Sequence, residues 1–244
     1  MDIYDMHCHV DLMNSMTAFA DSALKESIGI FAVTTTPKAY EKESCILKPF
    51  PNIRVGLGLH PQLVSDRYDE LILIEKYISM AVYIGEIGLD FNRQYYPSKE
   101  KQMDIFDNII KWCGQYNGKI ISIHAVHADK AVLDVIEKYA CAEHNRCILH
   151  WFSGTVKQLQ RAVEMGCLFS VNSAMLKSPN GQNIIRSIPS KSILLETDAP
   201  FIGDIKTAKM LKENLVAVRN KLMEYVGESL LQEIQMTSAA LFAM

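Results

Sequence analysis

The sequence lacks the marks of several protein classes. No apolar run approaches the roughly 20 residues that a helix needs to span a bilayer. The acidic start at residues 1–5 has no basic segment followed by an apolar one, as a signal peptide would have. The six cysteines include no C-x-x-C pair, which argues against a zinc ribbon or a disulfide framework and suits a reducing compartment. These absences predict a cytoplasmic protein that does not enter a membrane.

Excess charge is lacking as well. The chain has 25 Lys and Arg residues against 28 Asp and Glu residues, so its formal net charge is −3. We therefore expect no strong nonspecific attraction for nucleic acid. A phosphate-containing substrate would have to be held by metal ions and by local hydrogen-bond donors.

The chain alternates between short apolar, β-branched runs and amphipathic stretches, a pattern typical of strands followed by helices. The predicted strands cover residues 3–10, 30–35, 53–59, 81–87, 119–124, 147–151, 167–171 and 192–196. The predicted helices cover 16–27, 38–47, 66–80, 98–116, 128–139, 156–165, 182–187, 207–226 and 228–244. No linker, repeat or low-complexity segment divides the 244 residues, so we expect one domain over 1–244.

Eight strand–helix units predict an α/β protein with a (β/α)8 TIM-like barrel, a fold of about 250 residues. An open, doubly wound sheet is the alternative. It normally has fewer strands, and no G-x-G-x-x-G motif follows the first strand here.

Residue types that bind metals recur where these apolar runs end. In a barrel the chemistry lies at the carboxyl ends of the strands, so we expect these side chains to converge on one site. In H-x-H at 7–9 the spacing of two puts both imidazoles on one face, while Cys8 points away. The predicted metal ligands are His7, His9, Glu86, His124, His150 and Asp198.

Glu86 is predicted to join the two halves of this site. An unpaired buried charge is costly, and a carboxylate with two oxygens can bridge two cations, which lie about 3.5–4 Å apart in two-metal hydrolytic sites. The alternatives are a helix-capping acid or a partner of Arg93. The ligand set suits two divalent ions and leaves Mg²⁺, Mn²⁺ and Zn²⁺ open. Glu86 and Asp198 are the predicted catalytic residues, with Asp198 taking the proton of the attacking water.

Other side chains are predicted on the substrate side of the site. His127 lies one turn beyond His124 and is predicted to be a surface or substrate-side residue rather than a metal ligand. Tyr95, Tyr96, Trp151 and Phe152 are candidates for stacking on bases, with packing of the loops as the alternative. Trp151 and Phe152 alternate, so only one of those two should face the site. The loop at 91–97 is expected over the barrel mouth.

Six sequence strings together resemble the TatD family of metal-dependent deoxyribonucleases, in order and over about four-fifths of the chain. They are D-M-H-C-H at 5–9, G-L-H-P at 58–61, G-E-I-G-L-D at 85–90, I-S-I-H-A at 121–125, L-H-W-F-S-G at 149–154 and L-L-E-T-D-A-P-F at 194–201. The resemblance implies a TIM-like barrel and metal-dependent hydrolysis of DNA. It also implies one metal held by His7, His9, Glu86 and Asp198, a second held by Glu86, His124 and His150, and a phosphate contact from His60.

The chain departs from that family in the substrate region. Gln62 stands where the family has the second histidine of H-P-H, and no arginine follows His124. The strings T-T-T-P-K-A at 34–39 and G-L-G-L-H-P-Q-L at 56–63, with L-H-W-F-S-G, are similar to the TatD-like nuclease of Qat-type anti-phage defence systems. That similarity implies further protein subunits as partners, beside DNA. The alternatives are a small-molecule amidohydrolase, lactonase or phosphoesterase, and a non-catalytic barrel subunit.

Overall fold

The computed structural model describes residues 1–227 and 230–244. Within them, eight parallel strands form the predicted (β/α)8 barrel, which confirms the fold class. Every neighbouring pair of strands within the two ladders, β1 to β3 and β4 to β8, is parallel. The strands are β1 (Ile3–Cys8), β2 (Ile28–Val33), β3 (Ile53–Gly56), β4 (Tyr83–Asp90), β5 (Ile120–Val126), β6 (Arg146–His150), β7 (Leu168–Val171) and β8 (Ile193–Leu195).

Helices cover the outside of the barrel. They are α1 (Met16–Lys25), α2 (Pro37–Leu47), α3 (Val64–Arg67), α4 (Leu71–Ile78), α5 (Lys99–Gln115), α6 (Asp129–Lys138), α7 (Cys141–His144), α8 (Val156–Glu164), α9 (Pro179–Ser187), α10 (Ala208–Val226) and α11 (Leu230–Phe242). None of these helices is long and apolar enough to cross a membrane. The predicted start of the last helix at residue 228 lies outside the described residues.

The predicted helix at 66–80 is wrong as a single element. The chain forms α3 and α4 with a short 3-10 turn, Tyr68–Glu70, between them. The buried Glu70 carboxylate at this turn pairs with Arg67 at 3.0 Å and with Lys38 at 3.1 Å. A buried acid needs such partners, and the turn that interrupts the helix places Glu70 where it pairs with both of them.

Hydrogen bonds between the two ladders close the barrel. Leu57 bonds in parallel fashion to β4, since its N–H donates to the Tyr83 carbonyl at 3.0 Å. On the other side, the Asp198 N–H donates to the His7 carbonyl at 3.0 Å. The buried Asp5 carboxylate strengthens that seam by accepting from the Thr197 hydroxyl at 2.5 Å and the Thr197 N–H at 3.0 Å. This closure brings the first and last strands together.

The barrel interior is filled differently at its two ends. Its amino end holds a cluster of buried apolar side chains, including Met6, Phe31 and Leu194, which α11 covers with Leu241 and Phe242. A separate, larger apolar cluster lies between the strands and the outer helices. At the carboxyl end the buried residues are polar: histidines and acids replace the apolar side chains.

Strand β4 is longer than predicted, and its register shifts between Ile84 and Ile87. Glu86 lies inside the strand, as predicted, but at the point where its register is irregular. Close backbone approach permits this geometry: a Cβ at Gly58 would lie 2.3 Å from the Glu86 nitrogen, and one at Gly88 would lie 2.1 Å from the His124 carbonyl oxygen. Only glycine fits at these two positions.

Candidate metal centre

The Glu86 carboxylate lies at the centre of the buried polar end, with only 2% of its surface exposed. Its two oxygens face different sets of side chains. Oε2 lies 3.4 Å from the Nε2 atoms of both His7 and His9. Oε1 lies close to three other imidazole nitrogens: 2.8 Å from His124 Nδ1, 3.0 Å from His150 Nε2 and 3.2 Å from His60 Nε2. Arg93 is not among the contacts of Glu86.

Asp198 completes the set on the Oε2 side. Its Oδ1 lies 3.7 Å from His7 Nε2 and 3.5 Å from His9 Nε2. These three residues can each direct one ligand atom at a common point, because the atoms lie within 4.8 Å of one another. His7, His9 and Asp198 come from opposite ends of the chain, and the closure between the first and last strands brings them together.

The hydrogen-bonding state of His7 supports a cation on this side. Its Nδ1 lies within hydrogen-bond distance of the Ser122 hydroxyl oxygen, at 2.7 Å. Its Nε2 is fully buried and has no hydrogen-bond partner among the described residues. Such an orphaned nitrogen is costly unless something meets it, and a metal ion is the fitting partner for an imidazole lone pair.

The Oε1 side is held by a different pattern of partners. His124 Nε2 lies 3.2 Å from Asp90 Oδ2, and a carboxylate can only accept, so Nε2 carries a proton. Nδ1 lies 2.8 Å from Glu86 Oε1, where a metal ion bound by Glu86 would take the Nδ1 lone pair in place of a proton. Metal-binding histidines in general donate their other ring N–H to a carboxylate or carbonyl in this way. His124 therefore has the arrangement of a ligand.

His60 has the opposite arrangement. The Gln62 N–H donates to its Nδ1 at 3.1 Å, and since a backbone N–H cannot accept, the neutral ring carries its proton on Nε2. That N–H points to Glu86 and the cavity. His60, Glu86 and His124 are close enough to share an ion, but this hydrogen bond favours His60 as a donor to a substrate.

Glu196 is a member of the site that sequence reasoning missed. It is fully buried, and its Oε1 lies 3.7 Å from His150 Nδ1 while accepting from Asn172 Nδ2 at 2.7 Å and the Trp151 N–H at 3.1 Å. The Ser170 hydroxyl donates to its other oxygen. Glu196 thus lies behind His150, beyond hydrogen-bond distance of its Nδ1. The signal was present in the sequence, as an acid that ends the apolar run at 193–195.

Burial and charge act in opposite directions on these groups. Burial alone would raise the pKa of Glu86, but electrostatic interaction with the imidazoles of His60, His7 and His150, together with the hydrogen bond with His124, holds that pKa well below its usual range. Burial would also raise the pKa of Asp198, yet the hydrogen bond with His9 lowers it. Burial lowers the pKa of His7. Both acids are therefore ionised at neutral pH, as metal ligands must be.

A cavity of about 480 Å³ opens above this centre. His127 and Trp151 line it, and both have left-handed backbones, with φ of 54° and 42°. Trp151 is 39% exposed, whereas Phe152 is buried against Phe169, so only one of the two adjacent aromatic residues faces the cavity. Phe201 also lines it and stands edge-on to the His9 ring at 5.0 Å.

The loop after β4 contributes less to the mouth than the sequence suggested. Asn92 lines the cavity, but Tyr95 and Tyr96 do not, and Tyr96 packs instead against Phe91 with ring centroids 6.0 Å apart. No Lys or Arg side chain lines the cavity within the described residues. Ligands must therefore be recognised by amides, imidazoles, aromatic rings and any metal ions that the acidic side chains bind.

The predicted ligands fit a divalent-metal centre. The site offers buried histidine nitrogens and ionised carboxylate oxygens, and these are ligand types that Mg²⁺, Mn²⁺ or Zn²⁺ accept. Three groups of side chains place potential ligand atoms within 4.8 Å of one another: His7, His9 and Asp198; His60, Glu86 and His124; and His7, His150 and Glu196. Fold and site together define a metal-dependent hydrolase of the amidohydrolase-like barrel class.

Comparison with known proteins makes the assignment more specific. Residues 4–243 match the family model described as TatD related DNase, and the chain belongs to that family. It is 23% identical to a human protein named Deoxyribonuclease TATDN3, over 97% of this chain and 92% of that one. It is 25% identical to the metal-dependent hydrolase YjjV of Escherichia coli K12, over 80% of this chain and 78% of that one.

Solved structures agree on the fold. The crystal structure of Escherichia coli YjjV superposes with a TM-score of 0.82 at 22% identity, covering 100% of this chain and 98% of that one. A zinc-bound amidohydrolase from Burkholderia multivorans superposes with a TM-score of 0.56 at 10% identity, covering 99% of both chains. The protein is thus an enzyme of the TatD type, a metal-dependent hydrolase, as the sequence predicted.

Proposed function

We propose that the protein is a deoxyribonuclease that hydrolyses phosphodiester bonds with two divalent ions, acting on single-stranded DNA or on DNA ends. The observation that carries this proposal is the division of Glu86 between two ligand sets, with Oε2 facing His7 and His9 and Oε1 facing His124 and His150. The names of the family and of the human relative support DNA as the substrate.

In this proposal each set would hold one ion. His7, His9 and Asp198 would hold the first ion together with Glu86. His124 and His150 would hold the second, also together with Glu86. Two such ions would supply Lewis acidity at a phosphoryl oxygen and lower the pKa of a water molecule.

Asp198 acts as the general base. Its lowered pKa keeps it ionised, and it lines the cavity, so it can accept a proton from the attacking water. The water oxygen bonds to phosphorus, the ester P–O bond on the far side breaks, and the departing oxygen takes up a proton from solvent. The products are an alcohol end and a phosphate monoester.

Three residues act on the substrate side. His60 donates its Nε2–H to a phosphate oxygen, in keeping with the hydrogen bond that its Nδ1 accepts from Gln62. His127, exposed at the cavity, contacts the strand further out. Trp151 stacks on an unpaired base, a contact of about 1–3 kcal/mol that does not depend on sequence.

The absence of Lys and Arg from the cavity lining of the described residues favours a second candidate function. A neutral or less charged substrate, such as a small ester, lactone or cyclic amide, would need no cationic side chain. Turnover of such compounds without any cleavage of DNA would decide for this alternative.

A nuclease assay tests the proposal. Single-stranded, duplex and nicked DNA are incubated with Mg²⁺, Mn²⁺ or Zn²⁺ and with wild type, His124→Ala or His144→Ala. His144 is exposed at the end of α7 and serves as the matched control. We expect cleavage by wild type and the control and none by His124→Ala. Equal cleavage by all three would show that the activity arises elsewhere.

We also propose that the enzyme works in the cytoplasm as part of a Qat-type anti-phage defence complex. The sequence strings at 34–39, 56–63 and 149–154 support this role, and the free state of all six cysteines fits a reducing compartment. Cells carrying the complete system are challenged with phage, with wild-type protein or with Glu86→Ala. Protection that depends on Glu86 supports a catalytic role, and undiminished protection by Glu86→Ala supports a scaffold instead.

A further inference from the structure

Gln62 is connected to two histidines of the centre, directly to His60 and through Asp90 to His124. Its backbone N–H donates to His60 Nδ1 at 3.1 Å. Its side-chain Nε2 donates to Asp90 Oδ2 at 2.8 Å, and the same oxygen lies 3.2 Å from His124 Nε2. One residue at the start of the loop after β3 thus connects to a predicted substrate donor and, through one acid, to a predicted metal ligand.

Asp90 is rigidly held for this role. Its Oδ1 accepts from the Asn92 N–H at 2.8 Å, while Oδ2 accepts from Gln62 and His124. The buried Gln102 side chain fixes the backbone of Asp90 on both sides, accepting from its N–H at 2.8 Å and donating to its carbonyl at 3.0 Å. The two partners of Oδ2 come from the neighbouring strand–helix units, Gln62 from the unit before Asp90 and His124 from the unit after it.

The chemistry of the donor matters here. An amide N–H can only donate to Asp90, so it leaves the carboxylate oxygen as an acceptor for His124. Without Gln62, Oδ2 would keep one partner and the carboxylate could turn toward solvent, because the cavity opens beside it. The His124 ring would then lose the contact that selects the Nε2–H tautomer.

We propose that Gln62 is a positioning residue that sets the roles of two histidines: through Asp90 its side chain holds His124 with Nδ1 facing the metal, and its backbone N–H holds His60 as an Nε2–H donor. The inference rests on the proposed metal role of His124, and it adds Gln62 and Asp90 to the centre. Gln62 also lines the cavity, and in this role it acts through Asp90 and His60.

The side chain can be tested apart from the backbone. Gln62→Leu removes the amide but keeps the backbone N–H, so His124 should change while His60 should not. Gln94→Leu is the matched control, because Gln94 is exposed in the loop after β4 and does not line the cavity. Asp90→Ala is the second variant and removes the acceptor itself.

The first readout is binding of Mn²⁺ measured by titration calorimetry, without any substrate. Removing a group that orients a metal ligand typically weakens metal binding about 10–100-fold, which we expect for Asp90→Ala at one of the two ions. For Gln62→Leu we expect a smaller loss, up to roughly tenfold, at the same ion. The other ion should bind as in wild type, and Gln94→Leu should match wild type at both.

The second readout is the nitrogen-15 spectrum of the histidine rings in the Zn²⁺-loaded protein. In wild type, His124 should show a protonated Nε2, and this signal should broaden or divide in Gln62→Leu while the His60 signal stays unchanged. The inference would be overturned, and the metal centre kept, if wild type binds two ions and Gln62→Leu binds them with the same affinity and gives the same His124 signals. Wild type that binds no ion would overturn the proposed metal centre and the inference with it.

Discussion

Replacing Glu86 by Gln is the most direct test of the bridged centre. The change keeps the size and shape of the side chain but removes its charge and puts an N–H₂ group where one carboxylate oxygen was. Glu86 is buried and its two oxygens lie within 3.4 Å of five imidazole nitrogens, so no other group can take its place.

The ligand sets determine how large the effect should be. Without Glu86, the Oε2 side keeps three predicted ligands, His7, His9 and Asp198, whereas the Oε1 side keeps only His124 and His150. We therefore expect the second ion to be lost first. Because removing even an indirect partner of a metal ligand costs about 10–100-fold in affinity, loss of a direct bridging ligand should cost more than about 100-fold at that ion.

The assay is elemental analysis of purified protein, followed by Mn²⁺ titration, for wild type, Glu86→Gln and Glu143→Gln. Glu143 is exposed on α7 and provides the matched control. Wild type and the control should hold about two ions per chain, and hydrolysis of DNA by Glu86→Gln should fall by at least about 10³-fold, the upper end for losing one electrostatic contact to a transition state. Two ions bound by Glu86→Gln as tightly as by wild type would refute the bridging role. No ion in wild type, even after incubation with Mn²⁺ or Zn²⁺, would leave the histidines as barrel packing.

Three further predictions concern His60, the adjacent aromatic residues Trp151 and Phe152, and the buried acid Glu43 on α2. His60→Gln, which restores an N–H donor near the Nε2 position, should bind both ions and keep more DNA hydrolysis than His60→Ala; loss of an ion in either variant, seen by elemental analysis, would make His60 a ligand. Trp151→Ala should raise the KM for single-stranded DNA roughly 5–100-fold, from a stacking contact of about 1–3 kcal/mol, without lowering stability. Phe152→Ala should instead cost about 3–5 kcal/mol of stability in urea unfolding, and equal effects of the two variants would contradict their opposite orientations. Burial, with the nearby Asp11 charge, raises the pKa of Glu43 to about 8, so the folded state binds that proton more tightly than the unfolded state; this contribution to stability is present at low pH and is lost as pH rises toward 8. At pH 8, urea unfolding should therefore give Glu43→Gln a free energy of unfolding about 2–4 kcal/mol higher than that of wild type, whereas at pH 4 the gain should be small. An equal gain at the two pH values would rule out the buried, protonated acid.

The sequence alone determined the architecture and most of the side chains that form the centre. Alternation of apolar runs with amphipathic stretches depends on local periodicity, and eight such units admit few arrangements other than a barrel. Ligand types such as His124, His150 and Asp198 stand at the ends of those runs, and a barrel must bring strand ends together. Local pattern and topology were therefore enough to predict that these side chains come together, but not that Glu196 and Asp90 join them.

Only the tertiary structure decided how those residues divide the work. This division depends on contacts between distant parts of the chain: the side of Glu86 that each histidine faces, the Asp90 contact with His124 Nε2, and the place of Glu196 behind His150. The Gln62 side chain and Asp90 are 28 residues apart in sequence, and His7 and Ser122 are 115 residues apart. Such contacts leave no periodic signal, because they depend on side-chain directions that exist only once the barrel has closed.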